Sequence, residues 1–438
     1  MTALDPVDFI LDTRWADLSS KVVDTSKLNL LDTLGVAAGG YQSRTSQIIR
    51  ETANEEFGGT LPMLFDDRTA SASGVALAAG MMIDSLDGHD GFNPAKGHIG
   101  CPLISALLPI AHQLDVDGQD FLTAIVVGYE VGARTSVAQH GTCPDYHTSG
   151  SWGAVAAVAG IARLKNLDRE TTRHALGIAE YHGPRSQMMR CIDYPTMVKD
   201  GSGWGAMCAV SAVKLATKGF TGAPALTVEQ APEYWADLGE RWYILEQYYK
   251  PYPVCRWAQA PIEGVLSLRQ KHGLTSQDVV KIEVSTFHES VRLATKEPKA
   301  SDEAQYSTSF PCAVAMVKGD ITPADIADDA LSDPEVLRLS RSMMMTEDKK
   351  ANEVFPKTRL AKVTLHLTDG RTLKSEWMEP KWDPTCPPSP DELKDKYRKL
   401  ATPVLGQERA QTIETAIDRL ETGKLTTLTD HLFQPIND

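Results

Sequence analysis

Residues 151–164 read SWGAVAAVAGIARL, and this stretch decides the fold. Alanine and glycine dominate it, and such small residues let helix backbones approach one another closely. A helix that is apolar around its circumference is buried among other helices. Tight core packing explains the composition fully, so the stretch predicts a helical core and carries no functional signal of its own.

Helical spacing of apolar residues continues on both sides of this stretch. The helix nearest the N-terminus is expected to be capped within Asp24–Ser26 and to stop at Gly39–Gly40. Further helices are predicted at about 48–58, 71–87, 99–114, 119–138, 169–180 and 204–217. The predicted fold class is therefore mainly α, with an all-helical main domain over residues 1–264.

The pattern changes after about residue 275. Residues 280–284 alternate between apolar and polar, which is strand periodicity. A hairpin turn is predicted at Asp369–Gly370, because Asp-Gly flanked by alternating residues favours one. The flanking strands are expected at 363–367 and 373–377, with helices at 302–317 and 333–344. We predict a smaller α+β lid domain at 265–385 and C-terminal helices at 386–438 that pack back on the main domain.

The composition limits the functional classes. The 438 residues carry a formal net charge of -14, which argues against binding to nucleic acid or to an anionic membrane surface. No signal peptide and no apolar run long enough to span a membrane is visible. The seven cysteines include no C-x-x-C pair, which is typical of reduced thiols and not of a disulfide framework or a zinc site. We expect a cytoplasmic protein.

Five polar segments interrupt the helical pattern. Residues 84–98 hold three acids and two histidines, which suit metal ligation, acid–base chemistry or simple helix capping. Residues 145–149 and 182–201 each lead into a helix, whose N-terminus attracts anions, although Thr148 or Ser149 is equally well explained as an N-cap. Two prolines restrict the backbone of residues 248–257. The segment 302–310 gives the weakest functional signal of the five. The candidate residues are Asp84, Asp87, His89, Asp90, Lys96, His98, Tyr146, His147, Arg185, Arg190, Lys199, Lys250 and Arg256.

Two short motifs in these segments lack the context that their usual function requires. Residues 201–206 fit G-x-G-x-x-A, but no apolar strand precedes or follows them as a dinucleotide fold demands. The pair His89–Asp90 resembles HD-type metal phosphohydrolases, yet it lacks their upstream histidine. We therefore expect the activity to need neither a cofactor nor a metal.

Taken in order, several short motifs resemble the MmgE/PrpD family, which includes 2-methylcitrate dehydratases, cis-aconitate decarboxylases and an iminodisuccinate epimerase. They are Leu31–Gly35, the block from Asp87 through Asp90 and Lys96 to Gly100, His147 before the alanine-rich helix, Met197–Lys199, Gly219–Gly222 and Lys250–Pro253. The resemblance spans nearly the whole chain. It implies a helical main domain, a smaller α+β lid, a cleft between them, a homodimer and a small polycarboxylate substrate.

The resemblance also implies which residues line the cleft. These are Asp87, His98, His147, Lys199 and Lys250. Relatives carry Thr, His, His and Tyr where this chain has Gly91, Ser202, Gln259 and Phe310. These departures rank decarboxylation last, behind dehydration of a citrate-like acid, which we expect, and behind epimerisation of a dicarboxylic acid.

All three reactions place negative charge on the carbon next to a carboxylate, so the site must move a proton and stabilise an enolate-like oxyanion. We expect His147 and Lys199 to transfer protons with the participation of Tyr146, and Asp87 and His98 to orient the substrate or to tune a neighbouring group. The expected substrate-binding residues are Asp90, Lys96, Arg190, Lys250 and Arg256. Two alternatives stay open: a metal-assisted reaction at Asp84, Asp87, His89 and His98, and a helical protein that binds a polycarboxylate without converting it.

Overall fold

The computed structural model describes residues 4–143 and 145–436, so residues 1–3 and 437–438 of the predicted end domains lie outside it. The α-helices are α1 Pro6–Asp12, α2 Ser20–Gly40, α3 Arg44–Glu56, α4 Ala72–Asp84, α5 Gly100–Leu114, α6 Gly118–Thr142, α7 Gly150–Leu164, α8 Arg169–His182, α9 Met189–Asp193, α10 Ser202–Ala216, α11 Leu226–Glu229, α12 Arg256–His272, α13 His288–Val291, α14 Ser301–Gln305, α15 Ser309–Lys318, α16 Pro334–Ser342, α17 Lys349–Val354, α18 Pro390–Leu405, α19 Gln407–Asp418 and α20 Thr426–Leu432. The strands are β1 Leu61–Pro62, β2 Thr69–Ala70, β3 Gly91–Phe92, β4 Gln247–Tyr248, β5 Val279–Thr286, β6 Met344–Glu347, β7 Ala361–Leu367 and β8 Thr372–Lys374. The predicted mainly α class with a smaller α+β unit is confirmed.

The alanine-rich helix α7 lies at the centre of the main domain, as its composition predicts. It packs against α5, α6, α8 and α10. A Cβ at Gly128 of α6 would lie 2.9 Å from the Ala156 carbonyl oxygen, and one at Gly132 would lie 2.6 Å from the Ala156 Cβ. Glycine at both positions therefore sets how closely α6 approaches α7.

The smaller unit is built on a four-stranded mixed sheet in the order β6-β5-β7-β8. Strand β5 pairs parallel with β6 and antiparallel with β7, and the predicted hairpin joins β7 to β8. Gly370 in that turn has φ +86°, a left-handed conformation that favours glycine. Helix α12 packs on β7 and α16 on β5. Because α12 spans the predicted boundary at residue 264, the two units share this helix.

Several local predictions differ from the structure. The main domain is not all-helical, since β1 pairs with β2 and β3 with β4. The first long helix begins at Ser20 behind the N-cap Ser19, earlier than the expected Asp24–Ser26 cap. The helix predicted at 302–317 is two helices, because the Ser307 hydroxyl binds the Thr295 carbonyl and accepts from the Phe310 N–H instead of allowing a continuous turn.

The C-terminal helices pack on the main domain, where α18 lies against α2. Lys396 of α18 is buried and donates to the Asp32 carboxylate at 2.5 Å and to the Gly88 carbonyl at 2.7 Å. The end of the chain thus supports the loop that follows α4. Among the described residues, no helix combines the length and the apolar character that a membrane span requires.

Gln305, the last residue of α14, joins the smaller unit to the main domain. Its Oε1 accepts from the Asp87 N–H at 2.8 Å and from Lys199 Nζ at 2.9 Å. Its Nε2 donates to the Ser85 carbonyl at 2.9 Å and to Ser301 Oγ at 3.0 Å. Since the side chain is fully buried, these bonds fix the contact between the two units.

Candidate active site

The loop between α4 and α5 carries the first polar segment. Its strand β3 pairs with β4, which places Gly91 opposite Tyr248. A Cβ at Gly91 would lie 2.3 Å from the Tyr248 hydroxyl oxygen, so this position has no room for a side chain. The pairing brings Lys250 beside Asp87, where Lys250 Nζ donates to the Asp87 carboxylate and, at 3.0 Å, to the Asp87 carbonyl oxygen. Both side chains are buried.

His98, from the same loop, sits between two carboxylates. Its Nδ1 lies 2.5 Å from the Asp90 carbonyl oxygen, which only accepts, so Nδ1 carries a proton. Its Nε2 lies 3.4 Å from Asp87 Oδ1 and 3.3 Å from Asp200 Oδ2. Burial and the Lys250 charge lower the pKa of His98, but Asp87 and Asp200 outweigh them and raise it above its usual value. The two carboxylates therefore favour the imidazolium form of the ring, whose Nε2–H points at them.

The two carboxylates titrate differently. Burial raises the pKa of Asp87, but the Lys250 ammonium and the His98 contact more than reverse this and hold it well below its usual range. Burial raises the pKa of Asp200 to about 6, because His98 offsets the burial only in part and Asp84 and Asp87 add negative charge. Asp87 is thus a fixed anion, whereas Asp200 can exchange a proton near neutral pH.

One small cavity of about 30 Å³ collects these groups, and we call it the central cavity. Its lining residues are Asp87, Lys96, His98, Tyr146, Met188, Ile192, Asp200, Tyr248, Lys250, Cys255, Arg256, Trp257, Tyr306 and Arg359. Arg256 binds Asp383 Oδ2 at 2.9 Å and Arg359 binds Asn93 Oδ1 at 2.6 Å. The Nε of each guanidinium is buried and has no hydrogen-bond partner among the described residues. Free donors on two arginines provide a place for a carboxylate.

Matches to the models of known domain families show which family the chain belongs to. Residues 7–235 match the model of the MmgE/PrpD N-terminal domain, and residues 252–422 match that of the MmgE/PrpD C-terminal domain. This chain belongs to the MmgE/PrpD family.

Three MmgE/PrpD relatives have low sequence identity to this chain, and two of them match it over nearly its full length. A cis-aconitate decarboxylase-like protein of Aspergillus oryzae is 24% identical over 95% of this chain and 93% of its own length. The cis-aconitate decarboxylase of Mus musculus is 22% identical over 92% of this chain and 87% of its own length. A mitochondrial 2-methylcitrate dehydratase of Yarrowia lipolytica is 26% identical over 46% of this chain and 42% of its own length. The names of these relatives are those of enzymes, but they carry two different chemistries.

Six of the residues predicted from the sequence meet in the central cavity. They are Asp87, Lys96, His98, Tyr146, Lys250 and Arg256. The Tyr146 hydroxyl donates to the Lys96 carbonyl oxygen, and the Lys96 ammonium lies 4.6 Å from the centre of the Tyr146 ring. These contacts tie the loop before α7 to the loop before α5.

The predicted proton-transfer pair lies beside the central cavity and not among its lining residues. Lys199 Nζ is fully buried, 3.0 Å from Asp302 Oδ1 and 5.1 Å from the centre of the Tyr306 ring, and Tyr306 itself lines the cavity. His147 is buried, and its ring stacks on His140 with centroids 5.7 Å apart. Their part in proton transfer stays a prediction.

Two further predicted residues also lie elsewhere. Arg190 is exposed on α9 and binds Ser186 Oγ at 3.3 Å, so the structure does not bring it to the cavity. Asp90 is buried behind the cavity, where its Oδ2 accepts from the Tyr129 hydroxyl at 3.2 Å and from the Gly100 N–H at 3.4 Å. Asp90 acts on the site through its carbonyl oxygen, which holds His98.

The lining residues that were missed as candidates include Asp200, Tyr306 and Arg359. Asp200 directly follows Lys199 in the polar segment 182–201, but only the lysine was selected as a candidate. Tyr306 belongs to the weak fifth segment. Arg359 enters from the loop before β7, and its sequence context has no motif that distinguishes it from a surface arginine.

A metal would have to compete with Lys250 at this site. Asp87, His89 and His98 offer ligand atoms within 4.8 Å of one another. However, the Lys250 ammonium already contacts the Asp87 carboxylate, and two cations at that distance repel each other strongly in a buried site. The residues present therefore fit a divalent cation poorly, because Lys250 already supplies the positive charge there.

Proposed function

We propose that this chain is a lyase that removes water from a small citrate-like polycarboxylic acid by proton transfer next to a carboxylate. The observation that carries the proposal is the position of His98 Nε2, between Asp87 and Asp200 in a cavity that Arg256 and Arg359 also line. Loss of water requires a proton donor for the leaving hydroxyl. The imidazolium of His98 meets that requirement.

The cations of the cavity provide the remaining functions. Carboxylates are bound most strongly by guanidinium groups with free N–H donors, and Arg256 and Arg359 each keep one. Lys96 and Lys250 add positive charge where an enolate-like oxyanion would form. An acidic protein thus gathers its cations around one buried space, which supports a polyanionic substrate.

The chain's departures from its relatives favour dehydration over decarboxylation. Gln259, where relatives carry histidine, is fully buried and donates to the Tyr252 and Val254 carbonyls at 3.0 and 2.9 Å. Phe310, where the decarboxylase carries tyrosine, is fully buried in the apolar core. Neither position delivers a polar group to the central cavity.

Epimerisation of a dicarboxylic acid is the second candidate. It requires two groups that exchange protons on one carbon, and His98 and Asp200 both line the cavity. The deciding experiment incubates the enzyme with citrate-like and succinate-like acids in D₂O and follows them by NMR. Dehydration gives an alkene, epimerisation gives deuterium at an intact stereocentre, and decarboxylation gives loss of one carboxylate. Binding that raises the Tm with no product and no exchange would identify a polycarboxylate-binding protein instead.

One variant and one chelator treatment test the remaining assignments. Lys199→Met is expected to abolish turnover if Lys199 acts through Tyr306 or by moving into the cavity, and an unchanged kcat removes it from the chemistry. Treatment with EDTA tests the metal-assisted alternative, and we expect activity to persist. The homodimer and the cytoplasmic location stay predictions, which light scattering and cell fractionation can test.

A further inference from the structure

Asp200 reaches the central cavity because the backbone before α10 is turned inward. Lys199 has φ +49°, in the left-handed region that non-glycine residues rarely adopt, and Gly201 has φ +68°. The Asp200 carbonyl accepts from the N–H of Gly150, the first residue of α7. Strain of this kind persists only where the surroundings fix it, and here it directs a carboxylate into a buried cavity.

The two oxygens of Asp200 have different surroundings. Oδ2 accepts from the Ser149 hydroxyl at 2.9 Å and lies 3.3 Å from His98 Nε2. The same hydroxyl accepts from the His98 backbone N–H at 2.9 Å, so Ser149 locks the carboxylate against the histidine. Oδ1 is buried and has no hydrogen-bond partner among the described residues. An unpaired carboxylate oxygen in a buried site is costly unless a ligand meets it.

The other buried carboxylates near the site are ion-paired or lie outside the cavity lining. Asp87 is held by Lys250, and Asp302 by Lys199. Asp84 accepts from the Ser202 N–H at 3.1 Å and does not line the cavity. Asp200 therefore differs from them in combining access to the cavity, a free oxygen and a histidine partner.

We infer that Asp200 is a catalytic residue, whose Oδ1 takes the proton from the substrate carbon while His98 Nε2 gives one to the leaving hydroxyl. The inference rests on the proposed function and names its base. In the step, the C–H bond breaks and an O–H bond forms on Asp200. The electron pair of the C–H bond becomes the second bond between the carbons, the C–O bond breaks, and its electrons leave with the hydroxyl and the His98 proton as water. Asp200 then loses a proton and His98 regains one, so the net change is loss of water.

The ionisable groups that face Asp200 are Asp84, Asp87, His98, Cys101, Tyr146, Cys191, Cys255 and Tyr306. Burial raises the pKa of the thiols and phenols, so they stay neutral near pH 7. Asp87 stays anionic throughout this range. Burial also raises the pKa of Asp90, which lies outside the cavity lining, to about 6, so an acidic limb of the kcat/KM profile in this region is assigned to Asp200 by its change in Asp200 variants. We expect His98, whose pKa is raised, to set the alkaline limb.

Asp200→Asn tests the inference, because the amide keeps the size of the side chain and can still accept from Ser149. We expect kcat to fall about 10²–10⁴-fold with KM nearly unchanged, the acidic limb to vanish, and deuterium exchange at the substrate carbon to stop. Asp200→Glu is expected to recover at least about tenfold of the lost rate, since it restores the carboxylate. The matched control is Asp193→Asn, an exposed aspartate that pairs with Arg292 outside the cavity, and it keeps the wild-type kcat.

The outcomes separate this inference from the function on which it rests. A wild-type enzyme that converts none of the acids refutes the proposed function. A wild-type enzyme that converts one, with Asp200→Asn within about threefold of its kcat, refutes only the role of Asp200. If Asp200→Asn does not fold, the wild-type profile decides: a kcat/KM that is flat between pH 5 and 8 overturns the inference, and an acidic limb that moves in Asp200→Glu supports it.

Discussion

Replacing Lys250 with methionine removes a fully buried ammonium but keeps the apolar stem of the side chain. Asp87 then remains as a buried anion close to Asp84 and Asp200. Removing one partner of a buried ion pair costs about 3–5 kcal/mol, and here the remaining carboxylate keeps only the His98 contact at 3.4 Å. We expect the free energy of unfolding of Lys250→Met to fall by this amount.

Denaturant unfolding followed by circular dichroism measures the loss. The matched control is Lys281→Met, since Lys281 pairs with Glu283 at the surface and its side chain is 30% exposed. Surface pairs contribute about 0–1 kcal/mol, so this variant is expected to unfold almost as the wild type does. Adding Asp87→Asn to Lys250→Met removes the orphaned charge and is expected to recover about 1–3 kcal/mol. The reasoning is refuted if Lys250→Met loses no more stability than the control, or if the double variant recovers none.

Three further predictions concern pH, substrate binding and packing. Burial and a neighbouring imidazole lower the pKa of His89 to about 4, so the free energy of unfolding falls as the pH drops from 6.5 towards 4. His89→Gln is expected to remove about 3 kcal/mol of this fall, which denaturant unfolding at pH 7.5 and at pH 4.5 measures. Arg359→Met is expected to raise KM about tenfold or more by removing a charged hydrogen bond, whereas Arg371→Met in the surface turn leaves steady-state kinetics unchanged. Gly150→Ala places a Cβ 2.3 Å from a backbone oxygen and is expected to cost about 1–3 kcal/mol in thermal or denaturant unfolding, while Gly58→Ala, with nothing within 4 Å, shows no such loss.

The helical core could be predicted because its signal is local. Small residues at 151–164 and regular apolar spacing specify buried helices without knowledge of their neighbours. The break at Ser307 could not, since it depends on a bond to the Thr295 carbonyl, twelve residues away. Strand β6 was missed for a related reason. It is short and largely exposed, and nearly sixty residues separate it from its partner strand β5.

The candidate site likewise contains residues that a local sequence pattern predicts and residues that it does not. The first polar segment and Lys250 stand in compact motifs, and the structure brings their side chains together. Arg359 reaches the cavity only through the tertiary placement of the loop before β7, which no local pattern encodes. His147 and Lys199 also stand in motifs, but their side chains do not line the cavity, because a motif identifies a position and not the direction in which its side chain points.

Gln305 makes the loop after α4 depend on α14 of the smaller unit. Three of its four side-chain hydrogen bonds cross to the main domain, and all four places on the amide are filled. Pulling the two units straight apart would break the three crossing bonds together. Opening of the cavity by separation of the two units therefore requires that the three bonds from Gln305 to the main domain break.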